Sequence, residues 1–198
     1  MWLVRRVPDD LRPLHRAALD DADALVGRIT SGDLTRPTPC AAWNLGDLLA
    51  HMIGQHHGFA AAVRGGDAPL EAYTPQPYTP GRWAGSVSTV RDAFAAADLG
   101  AAAVLVEIAP DPLPLRRVVG AQLLDTVVHT WDVGRALGLE YVPADDLVAV
   151  VAAVAAAVPD DERRGRPGAA FARSVPGSGT PWERALARLG RVPGAGPA

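Results

Sequence analysis

Lysine is absent from this 198-residue sequence, so all 19 basic residues are arginines; against 22 acidic residues they leave a formal net charge of −3. The arginines are scattered or sit in short clusters near the ends. They form no basic stripe of the kind that grips a phosphate backbone, and nucleic acid is not an expected partner. Cysteine is almost missing too. Cys40 stands alone, which rules out an internal disulfide and makes a reducing cytoplasm the expected location. The opening Met1-Trp2-Leu3-Val4-Arg5-Arg6 lacks the apolar centre of a signal peptide. Long hydrophobic runs are also lacking. The longest, Leu147 to Val158, is about a dozen residues, too short to cross a bilayer, and no membrane partner is expected.

What the sequence does contain is enough apolar material for a folded core. Hydrophobic residues make up 48% of the chain, and its length suits one domain over residues 1–198, with a tail expected to fray from about residue 191. The patterning predicts a mainly all-α fold. A first helix should start near Asp9 and Asp10, whose charges suit the positive end of a helix dipole, and stop at Ser31-Gly32. A loop follows from Thr35 to Ala42. A second helix is marked by Asn44 as cap and Asp47 three residues on, a variant of the capping box. Leu45, Leu48, Leu49, Met52 and Ile53 then recur at helical spacing, and Gly65-Gly66 should end the helix. Residues 67 to 83 read as a long surface loop, a length that in a compact domain points to a role at a site. A third helix is expected over Ser86 to Ala97. Val104 to Ile108 and Leu113 to Val118 could pair as a small β-hairpin, kept to an edge by Pro110 and Pro112. A fourth helix should run from about Val119 to Leu137 and stop at Gly138, and a fifth from Ala144 to Val158. Pro159 to Gly168 reads as an exposed charged segment. Thr180-Pro181-Trp182-Glu183 opens a last short helix with a capping box and proline at its first position.

The fourth helix carries the chemistry: Asp125-Thr126-Val127-Val128-His129-Thr130-Trp131-Asp132. Asp125 and His129 are four apart and share a face, as does Asp132 three further on. Leu123, Leu124, Val127, Val128 and Val133 border that face, and burying two acids and an imidazole there is costly without partners. A divalent metal is one partner for Asp125 and His129; a plain Asp–His hydrogen bond along the helix is the other. The second helix offers His51 beside the apolar stripe, with Gln55 on the same face. His56 and His57, rotated roughly 140° and 240° from His51, are expected on the surface. His15, beside Arg16, is given a structural or surface role. Cys40, with no adjacent base, reads as a small buried residue and not a nucleophile. Trp43 and Trp131 read as packing residues flanking the site. Arg82, Trp83 and Arg91 could meet an anionic substrate or merely solvate a surface.

Two stretches carry a resemblance. Trp43-Asn44-Leu45-Gly46-Asp47-Leu48-Leu49-Ala50-His51, preceded by Thr38-Pro39-Cys40, resembles the second-helix signature of the DinB-like metal-binding bundle superfamily. More narrowly it resembles the branch that includes the N-terminal domain of mycothiol-dependent maleylpyruvate isomerase. Leu124 to Asp132 with Arg135-Ala136-Leu137-Gly138 resembles that branch's other signature, and the likeness spans roughly residues 10 to 190. It implies a DinB-like four-helix bundle of up-down-down-up order, with extra short helices. It also implies a metal held by His51, Asp125 and His129. The isomerase has Glu where this chain has Asp125, which is one methylene shorter.

Three protein ligands would leave a coordination position open, the pattern of a catalytic metal, and imidazole with carboxylate suits zinc first and nickel second. Such a metal could lower the pKa of a thiol. The resemblance implies mycothiol as that thiol, acting on a small-molecule electrophile in isomerisation or S-transfer. Asp132 and Gln55 are candidates to steady the ligands; Asp132 capping local backbone is the alternative. Two rival readings stand: a water-activating metal hydrolase with Asp132 as base, and a non-catalytic metal- or small-ligand-binding protein. The Val/Ala face of the fifth helix could serve as core or as a homodimer interface.

Overall fold

A computed structural model of the chain describes residues 7–40, 43–162, 164 and 171–193. Among these residues the fold is mainly helical, with six α-helices and one two-stranded antiparallel hairpin. Met1 to Arg6 and the last residues, 194–198, lie outside the described residues, as do residues 163 and 165–168 of the segment expected to be exposed between Pro159 and Gly168. No helix among the described residues is long and apolar enough to cross a membrane.

Helix α1 spans Arg12–Val26. It starts after Asp9 and Asp10, and Pro13 supplies the reason. Proline lacks an N–H, so it fits only in the first turn, where that donor has no intrahelical partner. Asp10 instead sits outside the helix and accepts the Arg12 backbone N–H at 2.9 Å. The helix ends before Gly27, short of the expected Ser31-Gly32, which belongs to a separate 3-10 turn over Ser31–Asp33.

Helix α2, Leu45–Gly65, begins as its sequence implies. Asn44 Oδ1 accepts the Asp47 N–H at 2.9 Å, and Asp47 Oδ2 accepts the Asn44 N–H at 3.2 Å. It ends at Gly66, whose φ of 84° lies in the left-handed region that only glycine enters freely. The loop after it is not all surface. Leu70–Tyr73 forms a 3-10 turn, and Tyr73 is buried against α2. Gly54 and Gly58 make this approach possible, because a Cβ at Gly58 would fall on the Tyr73 ring.

Helix α3 covers Pro80–Ala95, six residues earlier than its apolar spacing implies. Thr79 caps it, accepting the Arg82 N–H at 3.1 Å, with Pro80 at the first position. The hairpin pairs β1, Ala102–Leu105, with β2, Ala109–Pro114. Its second strand ends before Leu115, and Val118 belongs to the next helix. Helix α4, Leu115–Leu137, is buried on most of its circumference and ends at Gly138, φ 71°. Helices α5, Asp145–Ala157, and α6, Pro181–Arg188, complete the chain.

Helices α1 to α4 form the bundle. α1 packs on α3 and α4, and α2 packs on the same two. The hairpin lies against α2 and α4, while α5 covers α4 and α6 covers α5. Leu147, Val150, Val151 and Ala155 of α5 are buried, so that part of its apolar face is core. One hydrophobic cluster runs through all of these elements.

Candidate metal centre

Helix α4 projects Asp125, His129 and Asp132 from one face, and α2 projects His51 toward it. The His129 Nε2 lies 3.3 Å from Asp125 Oδ1, and the His51 Nε2 lies 3.9 Å from the same oxygen. The two imidazoles meet edge to face at 5.2 Å between centroids. One ligand atom from each of His51, Asp125 and His129 lies within 4.8 Å of the others. A tetrahedral ion with bonds of roughly 2.0–2.1 Å separates its ligand atoms by about 3.3 Å. The three donors therefore need only a small closure to fit one divalent ion. The shell is asymmetric in exposure: His129 is 2% exposed, while His51 and Asp125 are 20% and 17% exposed. Solvent reaches the cluster from the His51–Asp125 side.

Electrostatics couple the three groups. Burial pushes Asp125 up, but the His129 charge and hydrogen bonds from His129 and His51 outweigh it and hold the carboxyl far below its usual range. Burial pushes His129 down, and the adjacent Asp125 and Asp132 more than reverse this. The cluster favours a cation at its centre, a proton or a metal alike.

Asp132 is fully buried and lies beneath His129, not at the surface. Its Oδ2 accepts from His129 Nδ1 at 2.9 Å and from Arg191 Nη2 at 2.8 Å. Burial opposes its charge, yet Arg191 and His129 bring its pKa down to about 2. The Cys40 thiol also donates to Oδ2, at 3.3 Å. Cys40 is thus half-buried beside an acid, an imidazole and a guanidinium, which corrects the reading of it as a small residue without a neighbouring base. The turn that holds it is tight: Thr38 Oγ1 accepts the Cys40 N–H at 3.1 Å and donates to the Trp43 carbonyl at 2.9 Å. Trp43 in turn lies 4.6 Å from the His51 ring, between centroids. Trp131 is buried, with the Arg135 guanidinium 5.6 Å from its ring.

Other expected participants lie elsewhere. Gln55 is buried one turn beyond His51, but its amide donates to Glu107 Oε2 at 2.8 Å, at the hairpin turn. His56 is buried, contrary to expectation, with Nδ1 3.0 Å from Ser86 Oγ; desolvation takes its pKa down to about 3. His57 is half-buried. His15 is a core residue against Gln122 and Phe94, its pKa taken down to about 4 by burial. Arg91 pairs with Asp20, the Trp83 indole donates to Asp23 at 2.9 Å, and Arg82 donates to the Pro77 carbonyl at 3.1 Å. The first two join α3 to α1, while the Arg82 contact ties the start of α3 to the loop before it.

Arg191 escaped the sequence reading, which placed it at the start of a frayed tail. It is 5% exposed and ion-paired to Asp132. The one local signal was Gly190, the residue that ends a helix in a left-handed turn, here at φ 82°.

Residues 15–134 match the family described as the mycothiol maleylpyruvate isomerase N-terminal domain. Two uncharacterized proteins of Mycobacterium tuberculosis, from strains CDC 1551 and H37Rv, are each 30% identical to this chain over 193 residues. Each alignment covers 90% of this chain and 96% of the relative. No solved structure matches the chain. With the matched span taking in both His51 and the Asp125–His129 pair, the chain belongs to the mycothiol maleylpyruvate isomerase N-terminal domain family.

Proposed function

We propose that this protein is a metal-dependent enzyme that uses a low-molecular-weight thiol, mycothiol or one like it, on a small electrophilic substrate. The reaction is isomerisation or S-transfer. The observation that carries the reading is the convergence of His51, Asp125 and His129 donor atoms within 4.8 Å at a site open on one side. Two imidazoles and a carboxylate suit zinc first and nickel second. A divalent metal held there supplies a positive centre that lowers a thiol's pKa, so that a thiolate exists at neutral pH.

The chain's own residues divide the remaining work. His129 is immobilised by Asp132, leaving its Nε2 directed at the Asp125 side. His51 and Asp125 form the accessible edge where thiol and substrate meet, and the Trp43 ring packs against His51. Three protein ligands would leave a fourth position open, unlike a closed structural site.

The hydrolase reading needs a general base near the metal. Asp132, its one candidate, is fully buried with both oxygens taken by Arg191 and His129. It has no route to a water proton, which favours the thiol chemistry. The test is turnover of electrophiles by zinc-loaded protein with and without mycothiol. Product formation that needs the thiol and vanishes in His129→Ala is the expected result. Turnover without thiol would support hydrolysis, and no turnover with any thiol would leave a binding protein.

A further inference from the structure

A second group of potential ligands shares His129 with the first. Cys40, His129 and Asp132 also bring one donor atom each within 4.8 Å of one another. A cation is already there. The Arg191 guanidinium approaches Asp132 Oδ2 at 2.8 Å through Nη2 and Oδ1 at 3.4 Å through Nε, and its Nη2 lies 3.2 Å from Cys40 Sγ. A fork of this kind meets both oxygens of a carboxylate and fixes the plane of the group.

The chain takes trouble to deliver Arg191. Helix α6 is held at its start by a reciprocal cap, the Thr180 N–H donating to Glu183 Oε2 at 2.7 Å and the Glu183 N–H to Thr180 Oγ1 at 3.2 Å. At its end the Gly190 N–H donates to the Ala187 carbonyl at 3.1 Å and the Arg191 N–H to the Leu186 carbonyl at 3.0 Å. These two bonds are the Schellman pattern, in which a left-handed glycine turns the following residue back toward the helix. Arg191 is that following residue. Its Nη1 donates to the Leu189 carbonyl at 2.9 Å, and its guanidinium lies 5.6 Å from the Phe171 ring.

From this arrangement we infer that Arg191 is a positioning residue of the metal centre. It holds the Asp132 carboxylate so that Oδ2 receives His129 Nδ1–H, which orients the ring and leaves Nε2 free to ligate. This rests on the reading of His51, Asp125 and His129 as metal ligands. It extends the centre beyond residues 15–134, the span matched to the family, into the C-terminal segment. Arg191, 59 residues from Asp132 in sequence, thereby makes α6 a functional element as well as a cover for α5.

Arg191→Met and Arg191→Lys, in the full-length protein, test the inference in two arms. In the first, nitrogen-15 NMR of the metal-free protein reads the His129 ring. Wild type should show an Nδ1–H protected from exchange, lost in Arg191→Met and partly kept in Arg191→Lys. In the second, zinc affinity is measured by chelator competition and geometry by the absorption of the cobalt-loaded protein. Arg191→Met should bind zinc about 10- to 100-fold more weakly with an altered cobalt spectrum, and Arg191→Lys should fall between. Helical circular dichroism of each variant shows whether it is folded, and Arg191→Lys, which keeps the buried cation, decides the case if Arg191→Met is not. An unchanged His129 signal in the folded variants overturns the inference whatever the metal does. Wild-type protein that takes no zinc would overturn the ligand reading instead, while the NMR arm still decides the role of Arg191.

Discussion

His129 has two ring nitrogens, and the protein engages them differently. Nε2 faces Asp125 at 3.3 Å, and Nδ1 is 2.9 Å from Asp132. Because Asp132 is a buried charge whose strongest partner is Arg191, removing its charge strands a guanidinium in the core. Asp132→Asn should therefore cost roughly 3–5 kcal/mol of stability, the usual range when one member of a buried pair is lost. Urea denaturation measures it, and an unchanged midpoint would mean that Arg191 finds another partner. Gly58 is a second sensitive residue. Gly58→Ala would gain slightly in helix propensity but press a methyl onto the Tyr73 ring. A net loss of about 1–3 kcal/mol is expected by the same denaturation measurement. At this scale the Asp125–His129 pair was legible, since two residues four apart on one helix declare their shared face. Cys40 and Arg191 were not, because each meets Asp132 across a gap in sequence that no local spacing reports.

Among the elements, caps decided what could be read. Asn44-Leu45-Gly46-Asp47 and Thr180-Pro181-Trp182-Glu183 announce α2 and α6, and both boxes form. Replacing the α2 cap by Asn44→Ala should lower the thermal midpoint by an amount equivalent to about 1 kcal/mol, read by circular dichroism. Thr79-Pro80 is the same signal as Thr180-Pro181 and begins α3, yet the surrounding Pro, Tyr and Gly residues give that stretch the composition of a loop. Composition masked a cap that the physics used. Helix α1 begins within two residues of Asp10, near where its acidic residues suggest, but it ends at Val26 and leaves the expected stop, Ser31-Gly32, to a separate 3-10 turn. The existence of a hairpin was legible but its turn was not: residues 106–108 connect the strands, and Pro110 and Pro112, expected between them, fall within β2, where they are accommodated because the sheet has only two strands.

Across the whole molecule, the hardest feature to read was which polar residues the bundle encloses. The helical period places His56 away from His51, but α3 covers that side, so the expected surface residue is core. His15 and His56 are both neutral in the fold, with pKa values taken from 6.5 to about 4 and about 3 by burial. Arg91 faces His15, and Asp125, His51, His57 and His15 all act on His56. Histidines with lowered pKa contribute stability that is complete above about pH 6.5. It is lost as pH falls, because the unfolded chain takes up protons first, until the folded state protonates near pH 4 to 3. Stability should thus decline between about pH 6.5 and pH 3, by roughly 3 kcal/mol for His15 alone. His15→Gln should flatten that limb of the pH profile. A limb of the same slope in the variant would contradict the assignment.

The metal content of the purified protein bears most directly on the central claim. Mass spectrometry on chelator-free wild type should find one zinc or nickel per chain, and His129→Ala should carry none while keeping its helical signal. Wild-type protein without metal, even after reconstitution, would contradict the account and leave His51, Asp125 and His129 as a structural ion cluster.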